Sequence, residues 1–165
     1  MSNDAVTCEV KGLDQLQAAL EDLGDKQAKA IVRDAARAGG QVAVAAFVQS
    51  AGGVHGEPGE LLRNPKSWKM RYKSVKDALA GSVTIRATGT LPETHKGTGR
   101  GIQPKGRLYH RSLAYLVKLL ELGSGGGEYR GQKYPVMTSA FESSQQTILD
   151  RIISVIQQKL ERAGK

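Results

Sequence analysis

The 165-residue sequence contains one cysteine, few aromatic residues and no long apolar run. A lone Cys8 excludes an internal disulfide and a cysteine-based zinc site, and it is typical of a small strand residue in a reducing compartment. Because aromatic residues make up only 5%, the core has to be built mainly from aliphatic side chains and alanine. No run approaches the roughly 20 apolar residues needed to cross a bilayer, and the N-terminus lacks a signal-peptide pattern. We therefore expect neither export nor a membrane partner.

The sequence also lacks the motifs of the common enzyme classes. His55, His95 and His110 have none of the spacings that place two metal ligands on one helix face, which favours solvated loop histidines. There is no nucleophile elbow, no phosphate-binding loop and no pair of carboxylates beside a histidine. The glycine-rich run 97–101 does not join a strand to a helix. We therefore expect a protein that is not an enzyme and that has no metal and no cofactor.

Acidic residues are scarce in the middle of the chain. From Arg63 to Lys118 there are 13 Lys and Arg and two acids, a net charge of +11, whereas the remainder carries −3. Such a segment can meet nucleic-acid phosphates, an acidic protein or solvent, and its charge alone does not choose among them. The candidate partner-docking residues of a basic arm are Lys96, Arg100, Lys105, Arg107 and Arg111. The candidate DNA-path or acidic-partner face consists of Lys66, Lys69, Arg71 and Lys73.

The length fits a single domain over residues 1–165. Residues 6–11 alternate as a short strand, and leucines at 13, 16, 20 and 23 predict an amphipathic helix that Gly24 ends. Asp25 is the predicted N-cap of a long second helix. Within that helix, Gly39 and Gly40 indicate either a bend or close packing against a neighbour in the same subunit or another one.

The next part of the chain predicts a small antiparallel sheet between two irregular segments. Residues 52–63 are rich in glycine and proline, which indicates a loop. Apolar and polar residues alternate over 68–73 and 83–86, which predicts two strands. Trp68 and Tyr72 would lie on the core side and the basic residues on a solvent-exposed face. This orientation weighs against base stacking by the two aromatics. Residues 88–107 have no periodicity, so we expect a basic flexible arm or loop at about 88–111.

The last third predicts two helices. Apolar spacing over 113–122 favours a helix, with a strand as the open alternative. Ser139 and Glu142 form a predicted capping box for a final helix whose apolar face runs from Ile148 to Leu160. The fold class is therefore α+β. A small antiparallel sheet packs with a long N-terminal helix and a C-terminal helix, and long loops or arms extend from them.

Four segments, taken in order, carry a resemblance to a known family. They are Val-Lys-Gly-Leu-Asp-Gln-Leu-Gln-Ala-Ala-Leu (10–20) before the long helix, Pro-Gly-Glu-Leu-Leu-Arg (58–63), Tyr115 with Leu-Leu-Glu-Leu-Gly-Ser (119–124), and Tyr-Pro-Val-Met-Thr-Ser-Ala-Phe-Glu (134–142). This order resembles the tail-completion or neck-protein family, also described as minor tail components, of lambdoid and related long-tailed bacteriophages. The chain departs from the family pattern at Pro58, Val136 and Ser139, and its 63–107 region is longer and more basic.

The resemblance implies a structural virion protein of the phage head-tail neck, assembled in the host cytoplasm. It would form a homo-oligomeric ring, expected to be a hexamer. The ring would contact a connector or head-closure protein on one side and a tail terminator or tail tube protein on the other, with non-specific contact to DNA. The basic arm would dock on adjacent rings or on the DNA path. The alternative is a DNA-binding accessory protein of phage packaging or regulation, which the +11 segment favours.

Overall fold

The structure, a computed structural model, describes residues 13–76, 78–89, 112–123 and 133–164. It is an α+β arrangement, mostly helical with a two-stranded antiparallel sheet. The elements are α1 (Leu13–Asp22), α2 (Asp25–Ser50), α3 (Gly56–Arg63), β1 (Trp68–Ser74), β2 (Gly81–Ala87), α4 (Leu113–Leu122) and α5 (Val136–Ala163). The strand predicted for residues 6–11 and most of the predicted basic arm lie outside the described residues.

The junction between α1 and α2 is a glycine turn. Gly24 has a φ of 78°, a conformation that residues with a side chain rarely adopt, so the predicted helix stop is confirmed. The predicted N-cap role of Asp25 is wrong, because Gly24 occupies that position and no side chain caps α2. Asp25 is instead the first helical residue, and its carboxylate pairs with Lys29 at 3.3 Å one turn later.

Two adjacent glycines in α2 allow neighbours to approach the helix from two sides. A Cβ atom at Gly39 would lie 2.7 Å from Cγ1 of Ile152 in α5, and a Cβ at Gly40 would overlap Sδ of Met70 in β1. Both separations are shorter than those that Cβ atoms show in proteins. The close-packing alternative is therefore confirmed, and the neighbours belong to the same chain.

The segment predicted as a loop, 52–63, is largely helical. It begins in a 3₁₀ turn, Ala51–Gly53, and continues as α3. Pro58 lies in the first turn of α3, where the missing N–H has no helical partner to lose. Leu62 is fully buried, and Nη1 of Arg63 donates to the carbonyl of Val54 at 3.1 Å. Burial of this turn outweighs a glycine content that locally disfavours helix.

The two strands form the predicted antiparallel pair, with Lys69 opposite Arg86 and Tyr72 opposite Val83. Trp68 is buried, and its Nε1 donates to the carbonyl of Leu62 at 2.8 Å. Its ring centroid lies 5.2 Å from that of Phe47 in α2. The prediction that the strand aromatics face the core is thus confirmed, since Tyr72 is half-buried on the same side.

Residues 113–122 are helical, as favoured from the spacing. Oγ of Ser112 accepts from the N–H of Tyr115 at 3.2 Å, and Gly123 ends α4 with a φ of 70°. The capping box predicted for the final helix is wrong. Helix α5 begins at Val136, so Ser139 lies inside the helix and Glu142 lies a further turn along.

Helices α2 and α5 make the most extensive contact among the described elements, and they run antiparallel. Near one end Asp34 meets Lys159, in the middle Gly39 meets Ile152, and towards the other end Ala46 and Ala140 line a common cleft. A larger apolar core lies around Phe47 and Trp68, and a smaller one joins α1 to the other end of the pair. No helix in the described part of the chain is long and apolar enough to cross a membrane.

Candidate interaction surfaces

The outer surface of the sheet is basic and exposed. We define the basic sheet face as the six outward-facing strand residues: Lys69, Arg71, Lys73, Ser82, Thr84 and Arg86. Side chains two residues apart on a strand lie about 6.8 Å from each other, so the three β1 cations form a column about 14 Å long. The face carries four cations, two hydroxyls and no carboxylate.

The cations of this face lie close enough to repel one another. Lys69 lies directly opposite Arg86, and like charges in that position destabilise a strand pair. The ion pairs found among the described residues are those of Lys29, Arg33 and Lys159, and none includes a cation of the sheet. Charge is therefore concentrated on the face without a compensating carboxylate on either strand.

The structure brings together three of the four residues proposed for a DNA-path or acidic-partner face. Lys69, Arg71 and Lys73 share the outer surface of β1, whereas Lys66 is exposed in the 3₁₀ turn that precedes the strand. Arg86 was not among those four candidates. Alternation places it on the wet side of β2, but only the register shows that it faces Lys69. The arm candidates Lys96, Arg100, Lys105, Arg107 and Arg111 lie outside the described residues.

The second notable feature joins α4 to the start of α5. Oε1 of Glu121 accepts from the N–H of Met137 at 2.5 Å, and Oε2 accepts from the hydroxyl of Thr138 at 2.8 Å. The N–H of Tyr134 donates to the carbonyl of Leu120 at 3.0 Å. Pro135, at the N-cap position, has no side-chain acceptor, so a carboxylate from another helix supplies the cap.

This α4–α5 junction unites two of the sequence segments that carry the family resemblance, 119–124 and 134–142. Sequence spacing did not identify Glu121 as a cap, because its partners are 16 and 17 residues away along the chain. A negative charge at the first turn also interacts favourably with the positive end of the helix dipole. The junction therefore fixes both the starting point and the direction of α5.

Three large apolar side chains of α4 and α5 are exposed. We call Tyr115, Leu122 and Phe141 the apolar rim; they are 51%, 58% and 48% exposed. Tyr115 and Leu122 are seven residues apart, so they lie on one face of α4. Phe141 follows Met137 by one turn of α5. Large exposed apolar side chains are candidates for a protein contact surface.

An ion pair fixes the opposite end of the α2–α5 pair. Nζ of Lys159 lies 2.9 Å from Oδ2 of Asp34, and Nε of Arg33 lies 3.3 Å from Oδ1. The hydrogen bond from Lys159 lowers the pKa of Asp34 below its ordinary value of 3.8; partial desolvation opposes this shift, and Arg33 adds to it. This cluster links α2 to α5.

A cleft of about 540 Å³ lies between α2 and α5, on the side of Ala45, Gln49, Ser139 and Thr147. Its lining has no charged or titratable side chain, and the hydroxyl of Ser144 is already bonded to the carbonyl of Ala140 at 2.6 Å. Within the described ranges, no group of three or more His, Cys, Asp or Glu is placed to hold a metal ion. The cleft therefore offers contact surface and no acid–base pair.

Comparisons with protein-family models, curated proteins and solved structures found no match to this chain.

Proposed function

We propose that the protein is a structural subunit of the head-tail neck of a long-tailed bacteriophage, where it forms a homo-oligomeric ring between the head and the tail. The observation that carries this proposal is the α4–α5 junction. Two segments of the family resemblance meet there through Glu121, and the apolar rim belongs to the same segments. A junction that fixes two helices and leaves their large apolar residues exposed suits a subunit that packs against its copies.

The apolar rim is assigned to the contact between neighbouring copies. In a closed ring each subunit presents two different faces, and every joint repeats the same pair. Burying about half of the surface of three large apolar side chains at each joint would stabilise the ring through the hydrophobic effect. The basic arm residues (Lys96, Arg100, Lys105, Arg107, Arg111) are assigned to docking on the adjacent rings of the neck.

The test combines particle mass with virion joining. We expect the triple variant Tyr115→Ser/Leu122→Ser/Phe141→Ser to keep its helical circular dichroism and to lose both the ring mass in native mass spectrometry and the joined particles counted by electron microscopy. Val75→Ser is the control, because Val75 is 50% exposed and lies just after β1, outside α4 and α5. A triple variant that assembles and joins as well as the unchanged protein would contradict the assignment.

A second experiment addresses the arm. Replacing Lys96, Arg100, Lys105 and Arg107 with neutral residues is expected to leave the ring mass unchanged and to reduce the count of joined heads and tails. Undiminished joining would exclude the arm as a docking element.

The alternative function, a DNA-binding accessory protein, predicts that the protein is absent from purified virions, so mass spectrometry of intact particles separates the two functions.

A further inference from the structure

The outer surface of the sheet has a composition unlike that of a protein contact. The buried centres of protein interfaces are depleted of charged residues and especially of lysine, and they are built around apolar and aromatic groups. The basic sheet face has four cations and two hydroxyls, while Trp68 and Tyr72 lie on the other side. Interfaces with nucleic acid are more polar and far more positive than those between proteins, which is the composition found here.

The geometry of the face fits a phosphate backbone. A column of cations spaced by about 6.8 Å along β1 offers several positive charges within about 14 Å, a distance over which a duplex presents several phosphates. Ser82 and Thr84 lie across from Lys73 and Arg71, and hydroxyls are common donors to phosphate oxygens. The cross-strand repulsion between Lys69 and Arg86 would be relieved by an anion lying over both.

The face lacks the aromatic side chains that stack on bases and the amide side chains that read adenine. Single-stranded binders use outward aromatic side chains as stacking platforms, and both strand aromatics point inward here. No Asn or Gln stands on the outer face of either strand to reach a base edge. The contacts that its cations make with phosphates depend on charge and are independent of sequence.

We infer that the basic sheet face binds the phosphate backbone of double-stranded DNA without sequence preference. The inference relies on the proposed function for its setting, since DNA passes between head and tail through the neck. Counterion release predicts that each phosphate neutralised contributes about −0.9 to the slope of log K against log salt concentration. The four cations of the face therefore contribute about −3.6 when all are engaged.

The test measures binding of the full chain to a short labelled duplex by fluorescence anisotropy, over salt concentrations from about 50 to 200 mM. The sheet variant is Lys69→Gln/Arg71→Gln/Lys73→Gln. The matched control is Lys26→Gln/Arg37→Gln/Arg151→Gln, which removes the same charge from exposed positions on α2 and α5. Both lower the net charge from +8 by the same amount, so a difference between them reports position and not total charge.

We expect the slope to become shallower by about 2.7 in the sheet variant and to stay unchanged in the control, whatever other contacts contribute. Two duplexes of unrelated sequence should bind equally. Three outcomes would overturn the inference: an equal change of slope in both variants, no salt-dependent binding by the unchanged protein, or tighter binding to single-stranded DNA than to the duplex. If the protein binds poly-glutamate and does not bind the duplex, the inference is overturned and the face is assigned to an acidic protein partner.

These outcomes are separable from failure of the proposed function. If the unchanged protein does not bind duplex DNA but forms rings and joins heads to tails, the inference fails and the neck proposal stands. If it binds DNA through the sheet but is missing from virions, the neck proposal fails and the face keeps its assignment.

Discussion

Substitution of Glu121 tests whether a carboxylate from α4 holds the first turn of α5. In Glu121→Ala the N–H of Met137 loses an acceptor at 2.5 Å and the hydroxyl of Thr138 loses one at 2.8 Å. A hydrogen bond to a charged group contributes about 1.5–3 kcal/mol, but Glu121 is half-buried and its bond to Thr138 is exposed, so water replaces part of what the pair loses. Alanine has no helix-propensity cost in α4, so the loss is assigned to the cap.

We therefore expect Glu121→Ala to lower the free energy of unfolding by about 2 kcal/mol. In a chain of 165 residues that corresponds to a fall in Tm of about 4–8 °C. Glu121→Gln keeps an acceptor but loses the charge, and about half of the effect should remain. Urea denaturation supplies the free energy, and hydrogen exchange at the Met137 amide reports the local opening.

The controls are the two residues of the capping box that the sequence predicts. Ser139 and Glu142 lie inside α5, so Ser139→Ala and Glu142→Ala should each change the free energy of unfolding by less than about 0.5 kcal/mol. If Ser139→Ala costs about 1 kcal/mol while Glu121→Ala costs nothing, the helix begins at the predicted cap and the reasoning from the junction is refuted.

Two further changes test the contacts of α2. Gly40→Ala should lower the free energy of unfolding, measured by urea denaturation, by about 1–3 kcal/mol, because the added methyl overlaps Met70. Gly52→Ala places its methyl in open space and should not lower the free energy of unfolding. Equal stability of the two variants would contradict the close packing. The folded-state pKa of Asp34 is lowered, so its ionised form stabilises the fold above pH about 4, and that contribution is lost as the pH falls through the folded pKa. Asp34→Asn should therefore be less stable at neutral pH and decline less steeply below pH about 4 in thermal melts; an unchanged acid profile would show that the pair with Lys159 does not contribute.

Local patterns were sufficient for most helices and for both strands. The leucine spacing of α1 and the alternation of β1 and β2 each record which side of one element is apolar, and that side is buried whatever the neighbour. The same alternation placed Lys69, Arg71 and Lys73 on a wet face. Each of these conclusions needs only residues that are close in sequence.

Where an element starts or what it contacts often depended on residues far away in the sequence. Glycine and proline content predicted a loop at 52–63, but burial of Leu62 and its turn forms α3. A local serine predicted the cap of α5, but a carboxylate 16 residues earlier provides it.

The basic sheet face shows the same division. The sequence alone determined that β1 has one basic side, because alternation along a strand is a property of consecutive residues. Only the tertiary structure decided that Arg86 stands opposite Lys69 and that Gly40 lies against Met70, because register and helix–sheet approach are set by packing between distant segments. That packing places the fourth cation beside the column and turns a basic strand into a basic surface.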